Sequence, residues 1–202
     1  MKIDVIIPVY RPTEKLNKVL YGLSRQTYLP ERIILLHTRD GIKLDVSACK
    51  DRVSVTEIPI PEKEFDHGRT RDLGIRMSDA DIVVMMTQDA VPVDSFLLEK
   101  LSETLKEHSD AVAAYARQIP DQNCGLLEKY TRVFNYPPKS QIKSQKDLPK
   151  LGIKTYFCSN VCAAYKKSIY EEIGGFVKKA IFNEDMIYAG TMAKRGYGIA
   201  YA

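Results

Sequence analysis

Hydrophobic residues in the first half of the chain form short consecutive runs, rich in valine and isoleucine, that alternate with amphipathic stretches. Runs that are apolar on consecutive residues are typical of strands buried on both faces, as in a parallel sheet covered by helices. We therefore predict an α/β fold with a mainly parallel sheet flanked by helices. The predicted strands are residues 3–7, 32–37, 53–58 and 81–86.

The stretches between these runs have the spacing of helices that bury one face. Between the first two strands, Leu16, Val19, Leu20 and Leu23 recur at intervals of three and four residues, and Thr13 is placed to cap the helix. Helices in such positions connect parallel strands. The predicted helices are residues 13–26, 69–77 and 94–108.

The second half of the chain is less regular. After an apolar run at residues 111–116, a single apolar stripe predicts a helix through residues 126–134. Residues 136–152 combine three prolines with many lysine, serine and glutamine residues, which predicts a flexible loop and a candidate lid. Beyond it we predict a strand at residues 156–165, a short helix at 168–173, a helix beginning at Asn183 and a strand-like segment at 198–202.

Composition restricts the class of protein. A chain of 202 residues that is 45% hydrophobic and 28% charged is typical of one globular domain. Its apolar runs are far shorter than the roughly 20 residues that span a bilayer. The short apolar run before Pro8 differs from a secretory signal peptide, so we expect a cytoplasmic protein. The four cysteines form no CxxC pair, which favours reduced thiols over a disulfide or zinc site.

Charge and the first turn exclude several ligand classes. A net charge of +4 is too small to indicate a nucleic-acid-binding tail, so we expect no nucleic-acid partner, although phosphate-bearing ligands or an anionic membrane surface remain possible. The turn after the first strand has neither GxGxxG nor GxxxxGK[ST], which argues against dinucleotide dehydrogenases and P-loop NTPases. Tyr10 could stack on a base there and Arg11 could contact a phosphate, although both are also ordinary turn residues.

Three charged segments follow predicted strands or begin helices, which is where open parallel sheets bind ligands. Arg69 and Arg71 lie at a helix start, a geometry suited to a diphosphate. Asp89 follows an apolar strand and could hold a hard cation together with substrate phosphates. Glu184 and Asp185 begin a later helix, where one carboxylate could orient a group and the other accept a proton. Each feature alone also fits an ordinary turn or helix start, and their joint occurrence strengthens the interpretation as a ligand site.

Taken in order, these segments resemble the family-2 glycosyltransferases of the GT-A fold, and within them the bacterial rhamnosyltransferase-like branch. The resemblance covers nearly the whole chain, and it is specific as a combination although each motif alone is weak. It is carried by residues 6–10 (IIPVY), 66–74 (DHGRTRDLG), 87–90 (TQDA), Ser159-Asn160 with Tyr165, 173–176 (IGGF) and Glu184-Asp185.

The resemblance implies specific roles for individual residues. Asp89 would coordinate Mg²⁺ or Mn²⁺ bridging the donor diphosphate, and Asp185 would be the general base that deprotonates the acceptor hydroxyl, with Glu184 beside it. An inverting transfer of this kind needs no protein nucleophile. The nucleotide-sugar-binding residues implied are Pro8, Tyr10, Thr38, Asp66, Arg71, Thr87 and Gln88.

The resemblance also implies a substrate class and a location. We expect a metal-dependent transfer of L-rhamnose from dTDP-L-rhamnose to a polysaccharide or lipid-linked saccharide. Peripheral contact with the inner face of the cell membrane would come from the lysines of residues 139–150. We expect residues 1–202 to form a single GT-A domain without the later family segment that carries a metal-binding histidine.

Two alternatives stay open. The first is a truncated or degenerate domain that binds a nucleotide sugar or a partner without turnover. It is favoured by the chain end at Ala202, and by His37-Thr38 where the family commonly has an acidic pair that contacts the base. The second is a nucleotidyltransferase, which is disfavoured because the turn after the first strand contains no glycine.

Overall fold

The computed structural model describes residues 1–121, 123–180 and 182–202, which form one mixed eight-stranded sheet with helices on both faces. The strands are β1 (Ile3–Val9), β2 (Arg32–Thr38), β3 (Ser54–Ile60), β4 (Ile82–Met86), β5 (Ala111–Tyr115), β6 (Gln141–Lys143), β7 (Cys162–Lys166) and β8 (Gly198–Tyr201). The helices are α1 (Glu14–Leu23), α2 (His67–Arg76), α3 (Leu97–Glu107), α4 (Leu126–Asn135), α5 (Leu148–Leu151), α6 (Lys167–Ile173) and α7 (Glu184–Lys194).

The strands follow the order β3-β2-β1-β4-β7-β5-β8-β6 across the sheet. β1 pairs in parallel with β2 and β4, and β2 pairs in parallel with β3. β7 runs antiparallel between β4 and β5, and β5 pairs in parallel with β8. One edge of the sheet therefore holds the carboxyl ends of β1 to β5 and of β8, together with the start of β7. We call this edge the carboxyl edge. This confirms the mainly parallel sheet predicted from the sequence.

The two faces of the sheet are covered by different helices. The apolar stripes of α1 and α3 pack on one face, where Leu20 and Leu98 are fully buried. The other face is covered by α2, α6 and α7, which contribute Ile75, Tyr170 and Met192 to a second buried cluster. Burial of each such side chain contributes about 1.5–3 kcal/mol, so both faces anchor the strand ends firmly.

The regular elements of the first half confirm the predicted ones, with shifts at their ends. The helix predicted for residues 13–26 begins at Glu14, because the Thr13 side chain accepts a hydrogen bond from the Lys15 N–H as N-cap. The four predicted strands correspond to β1 to β4. All four cysteines are free, as expected.

The strand predicted for residues 156–165 is largely wrong. Only its last part is β7, because residues 152–156 form a 3₁₀ helix and the following residues turn across the carboxyl edge. The main-chain N–H of Asn160 donates to Asp185 rather than to a neighbouring strand, so apolar composition alone did not indicate the backbone path.

Residues 136–152, predicted as a loop, contain regular structure in their second part. β6 pairs antiparallel with β8, a capping box joins Ser144 and Asp147, and α5 follows. The anchor is Lys143, whose side chain is almost fully buried and donates to the carbonyl oxygens of Lys154 and Phe157. A lysine-rich sequence gave no indication that one lysine would be buried.

Candidate active site

The turns after β1 and β4 are joined at the carboxyl edge by one side chain. The Gln88 amide accepts from the Tyr10 N–H at 3.0 Å and donates to the Tyr10 carbonyl oxygen at 2.9 Å. The Tyr10 hydroxyl donates to Glu62 at 2.9 Å, and this hydrogen bond raises the pKa of Tyr10. Gln88 thus fixes the main chain of Tyr10, and Glu62 holds the hydroxyl of its half-exposed ring.

The end of β2 carries an acidic group that was not among the predicted site residues. His37 lies between two carboxylates, with Nε2 3.1 Å from Asp40 Oδ1 and Nδ1 2.8 Å from Glu57 Oε1. Asp40 also accepts from the main-chain N–H groups of Ile42 and Arg11. The Ile42 bond is the largest cause of its lowered pKa. The sequence signal that could have identified Asp40 was its position two residues beyond Thr38, close to where an acidic group was expected.

Asp66 serves as the N-cap of α2 and accepts from the Arg69 N–H at 2.8 Å. Thr70 completes the cap, because its hydroxyl accepts from the Asp66 N–H at 3.3 Å. Gly68 is required here, since a Cβ atom at this position would lie 2.2 Å from the Val177 carbonyl oxygen. This packing directs the following turn of α2, with Arg71, into the protein.

The acidic pair at the start of α7 is held by a buried network. Arg71 Nη1 lies 2.9 Å from Glu184 Oε1, and the Asn160 side-chain amide donates to the same oxygen at 3.1 Å. The Asn160 main-chain N–H donates to Asp185 Oδ2 at 2.9 Å, and the Asn160 side-chain oxygen accepts from the Tyr165 hydroxyl at 2.8 Å. Glu184 is therefore a buried partner of Arg71, whereas Asp185 is held from behind by a main-chain donor.

Burial raises the pKa of Asp185. The Glu184 charge raises it further, while the Asn160 and Met186 N–H groups and the Arg71 charge oppose the shift. A carboxylate with a raised pKa is a stronger base than a solvated one, provided that it is ionised at the working pH. The environment of Asp185 therefore suits proton abstraction.

The segments that carry Asp89 and support Asp185 are hydrogen-bonded neighbours at the carboxyl edge. The Thr87 N–H donates to the Val161 carbonyl oxygen at 3.1 Å, and Met86 pairs with Cys162 across β4 and β7. Asn160, which holds Asp185, is the residue before Val161. The structure thus brings together the end of β4, the start of β7 and the start of α7.

Several buried polar atoms at this edge have no hydrogen-bond partner in the described part of the chain. They include the hydroxyl oxygens of Thr38 and Thr87, the Nε atom of Arg71 and the side-chain oxygen of Gln118. Such atoms are costly in a folded protein unless a ligand or water satisfies them. The first three belong to residues predicted to bind a nucleotide sugar. Pro8, another residue predicted to do so, lies within β1 and is paired with Leu36 of β2.

The residues after β4 offer few ligands for a divalent cation. Asp89 is exposed and offers one carboxylate, and the orphan Thr87 hydroxyl lies two residues before it. In the described ranges, no group of three His, Cys, Asp or Glu side chains could hold a metal ion. Mg²⁺ and Mn²⁺ prefer oxygen ligands and are often held by one or two carboxylates with substrate phosphates, so Asp89 fits as a single protein ligand.

The fold and this edge define a GT-A-type domain, the class of glycosyltransferases with a mainly parallel sheet of this kind. Residues 4–174 match the family model described as "Glycosyl transferase family 2". The chain belongs to that family.

Two relatives in Salmonella resemble the whole chain. The "O-antigen chain rhamnosyltransferase RfbN" of Salmonella typhimurium is 38% identical over 203 residues, which cover 100% of this chain and 64% of that protein. The "O-antigen chain rhamnosyltransferase WbaN" of Salmonella anatum is 34% identical over 201 residues, covering 98% and 62% respectively. The chain therefore spans less than two thirds of the length of these relatives.

A solved structure supports the fold. The mannosyltransferase PcManGT of Pyrobaculum calidifontis, in complex with GDP-Man and Mn²⁺, superposes with a TM-score of 0.70 at 14% identity. The match covers 100% of this chain and 56% of that one. Among the helices of the described residues, none combines the length and apolarity needed to cross a membrane.

Proposed function

We propose that this domain transfers a sugar from a nucleotide-sugar donor to a saccharide acceptor with inversion at the anomeric carbon. The observation that supports the proposal is the buried network of Arg71, Glu184 and Asn160, which holds Asp185 at the carboxyl edge of the sheet. A base and a diphosphate-binding rim on adjacent segments are the parts that such a displacement requires.

In the proposed reaction, Asp185 accepts the proton of the acceptor hydroxyl. The acceptor oxygen forms a bond to the anomeric carbon as the bond from that carbon to the diphosphate oxygen breaks, and the electron pair leaves with the nucleoside diphosphate. A divalent cation held by Asp89 would supply charge stabilisation for this leaving group. Glu184 and Arg71 support the base through Asn160, because their buried ion pair holds the Asn160 side chain and the Asn160 main chain donates to Asp185.

On the donor side, we propose that the Tyr10 ring contacts the base and that Asp40, two residues beyond Thr38, serves as the acidic group after β2. The buried Thr38 and Thr87 hydroxyls are available for ribose or phosphate oxygens. Gln88 acts by fixing Tyr10, and Asp66 acts by capping α2. Pro8 contributes the rigid end of β1.

The donor we propose is dTDP-L-rhamnose, and the acceptor a growing polysaccharide or its lipid-linked precursor. The printed names of the two Salmonella relatives support rhamnose and an O-antigen chain. A lipid-linked acceptor would place the domain peripherally at the inner face of the membrane. Among the lysines expected to make that contact, Lys143 is buried, whereas Lys139, Lys146 and Lys150 are exposed.

The proposal is tested by an Asp185→Asn variant in a transfer assay with labelled dTDP-L-rhamnose and a lipid-linked saccharide acceptor. Loss of a general base typically lowers the rate by about 10²–10⁴-fold, and we expect a fall in this range. Asp79→Asn, a change of the same chemistry at an exposed position, should leave the rate unchanged. Wild-type rates in Asp185→Asn would show that the base is wrongly assigned. Donor binding without any turnover by the wild type would favour the non-catalytic alternative.

A further inference from the structure

Helix α4 presents an apolar face that is largely exposed. Leu126 and Leu127 are 89% and 80% exposed, and none of the ten residues of α4 is buried. The exposed set continues through Tyr130, Val133 and Phe134, which lie on the same side as Leu126 at helical spacing. Large contiguous apolar patches on a protein surface mark interaction sites.

Basic residues outnumber acidic ones on α4 and in the segment that follows it. Residues 126–156 contain seven lysine and arginine residues, one of them the buried Lys143, and two acidic ones, a net charge of +5, whereas the whole chain carries +4. The positive excess of the molecule is therefore confined to this one stretch. Lys129, Lys139, Lys146 and Lys150 are exposed within it.

The packing of residues 152–157 places this basic segment beside the apolar face. Lys154 Nζ donates to the Phe134 carbonyl oxygen at 3.4 Å and lies over the Phe134 ring. Ile153, next to it, is 68% exposed and extends the apolar surface. Apolar side chains flanked by lysines are the composition of helices that lie in the interface of anionic membranes.

The same helix leads directly into the candidate active site. Tyr136 follows α4, is buried, and its ring packs against Phe157, three residues before Asn160. Burial is the largest cause that raises the pKa of Tyr136 to about 12, and the Asp185 charge also raises it. A surface that held α4 would therefore lie close to the segment that holds the proposed base.

We propose that α4 and its basic flank dock on an anionic lipid surface, with the apolar face in the headgroup region. This inference rests on the proposed function in one respect, since it explains how a lipid-linked acceptor would reach Asp185. α4 has ten residues and a length of about 15 Å, so it would lie along the interface rather than cross it. Lipid is favoured over a second copy of the chain, because two identical surfaces of the same positive charge repel each other.

The test is flotation of the chain with vesicles of phosphatidylcholine, with or without phosphatidylglycerol. We expect binding that requires phosphatidylglycerol and weakens with salt. Leu126→Ser with Leu127→Ser should lower the apparent affinity by about tenfold or more, because two exposed anchors are lost. Lys146→Gln with Lys150→Gln should lower it severalfold. A matched control, Tyr21→Ser with Val93→Ser, removes exposed apolar groups elsewhere and should bind like the wild type.

Thermal unfolding of each variant establishes that the fold is retained, which the exposure of these side chains predicts. The proposal is overturned if the wild type fails to float with anionic vesicles, or if the Leu126 and Leu127 variant floats equally well. It is also overturned if the wild type is dimeric, the leucine variant is monomeric and neither binds vesicles, because α4 would then join two copies. Transfer to a soluble acceptor fragment should be unchanged in the leucine variant, which separates failure of docking from failure of the proposed chemistry.

Discussion

Asn160 holds both members of the acidic pair through different groups. Its side chain donates to Glu184, and its main chain donates to Asp185. Glu184 is 24 residues and Asp185 25 residues away in sequence, so no local pattern could show these contacts. The sequence identified Glu184, Asp185 and Arg71 by their chemical type and order. It could not show that Arg71 would pair with Glu184, because that depends on how α2 and α7 pack.

The charges around Asp185 predict a pH effect. In Glu184→Gln, one charge that raises the pKa of Asp185 is lost and the Arg71 charge that lowers it is left unbalanced. Both changes lower the pKa of Asp185, so a larger fraction is ionised at acidic pH. We expect the acid limb of kcat/KM against pH to move to lower pH, measured in the transfer assay. An acid limb that stays in place or moves to higher pH would contradict the coupling between Glu184 and Asp185. The control is Glu103→Gln on the exposed side of α3, which should leave the acid limb in place.

At the scale of elements, β1, β2, β4, α1 and α3 were predictable because their apolar residues are the buried ones. β3 lies at the edge of the sheet and is mostly exposed or half-buried, so the expectation of burial on both faces was wrong for this strand. β6 was not predictable, because it depends on the burial of Lys143 against carbonyl oxygens of a later turn. The strand expected at residues 156–165 was wrong for a similar reason, since Asn160 serves the site rather than the sheet. Elements fixed by a distant polar partner leave no periodic signal.

Burial of Lys143 predicts how stability changes with pH. Burial lowers its pKa to about 8 in the folded chain, below the value of about 10.4 for an unfolded lysine. Between these values the unfolded state binds more protons, so this lysine makes the folded state more stable as pH rises.

The measurement for Lys143 is urea unfolding of the wild type and Lys143→Met at about pH 8 and about pH 10. The difference in unfolding free energy, wild type minus variant, should rise by at most about 1.4 kcal/mol per pH unit over this range. Lys146→Met, exposed on the same segment, should show no such rise. A difference that falls with pH would mean that Lys143 is not buried as described.

At the scale of the molecule, the proposed donor and acceptor functions lie on separate parts of one edge of the sheet. Tyr10, Gln88 and Asp89 lie on the turns after β1 and β4, whereas Asp185 lies on α7 and is supported from β7. The family and the fold were both predictable, because motifs in the right order along the chain imply this placement. The membrane-facing role proposed for α4 was not predictable from its stripe of apolar residues, since the same stripe would fit a buried helix.

The most direct test of this account is a thermal shift of the wild type, Asp89→Ala and Asp185→Asn with dTDP-L-rhamnose and Mn²⁺. A ligand at about ten times its Kd stabilises the native state by about 1.4 kcal/mol, which raises Tm by about 3–6 °C for a chain of this size. We predict this shift, dependent on Mn²⁺, in the wild type and in Asp185→Asn, and its loss in Asp89→Ala. No shift in the wild type would contradict a donor site at the carboxyl edge, and an equal shift in Asp89→Ala would contradict metal-assisted donor binding by Asp89.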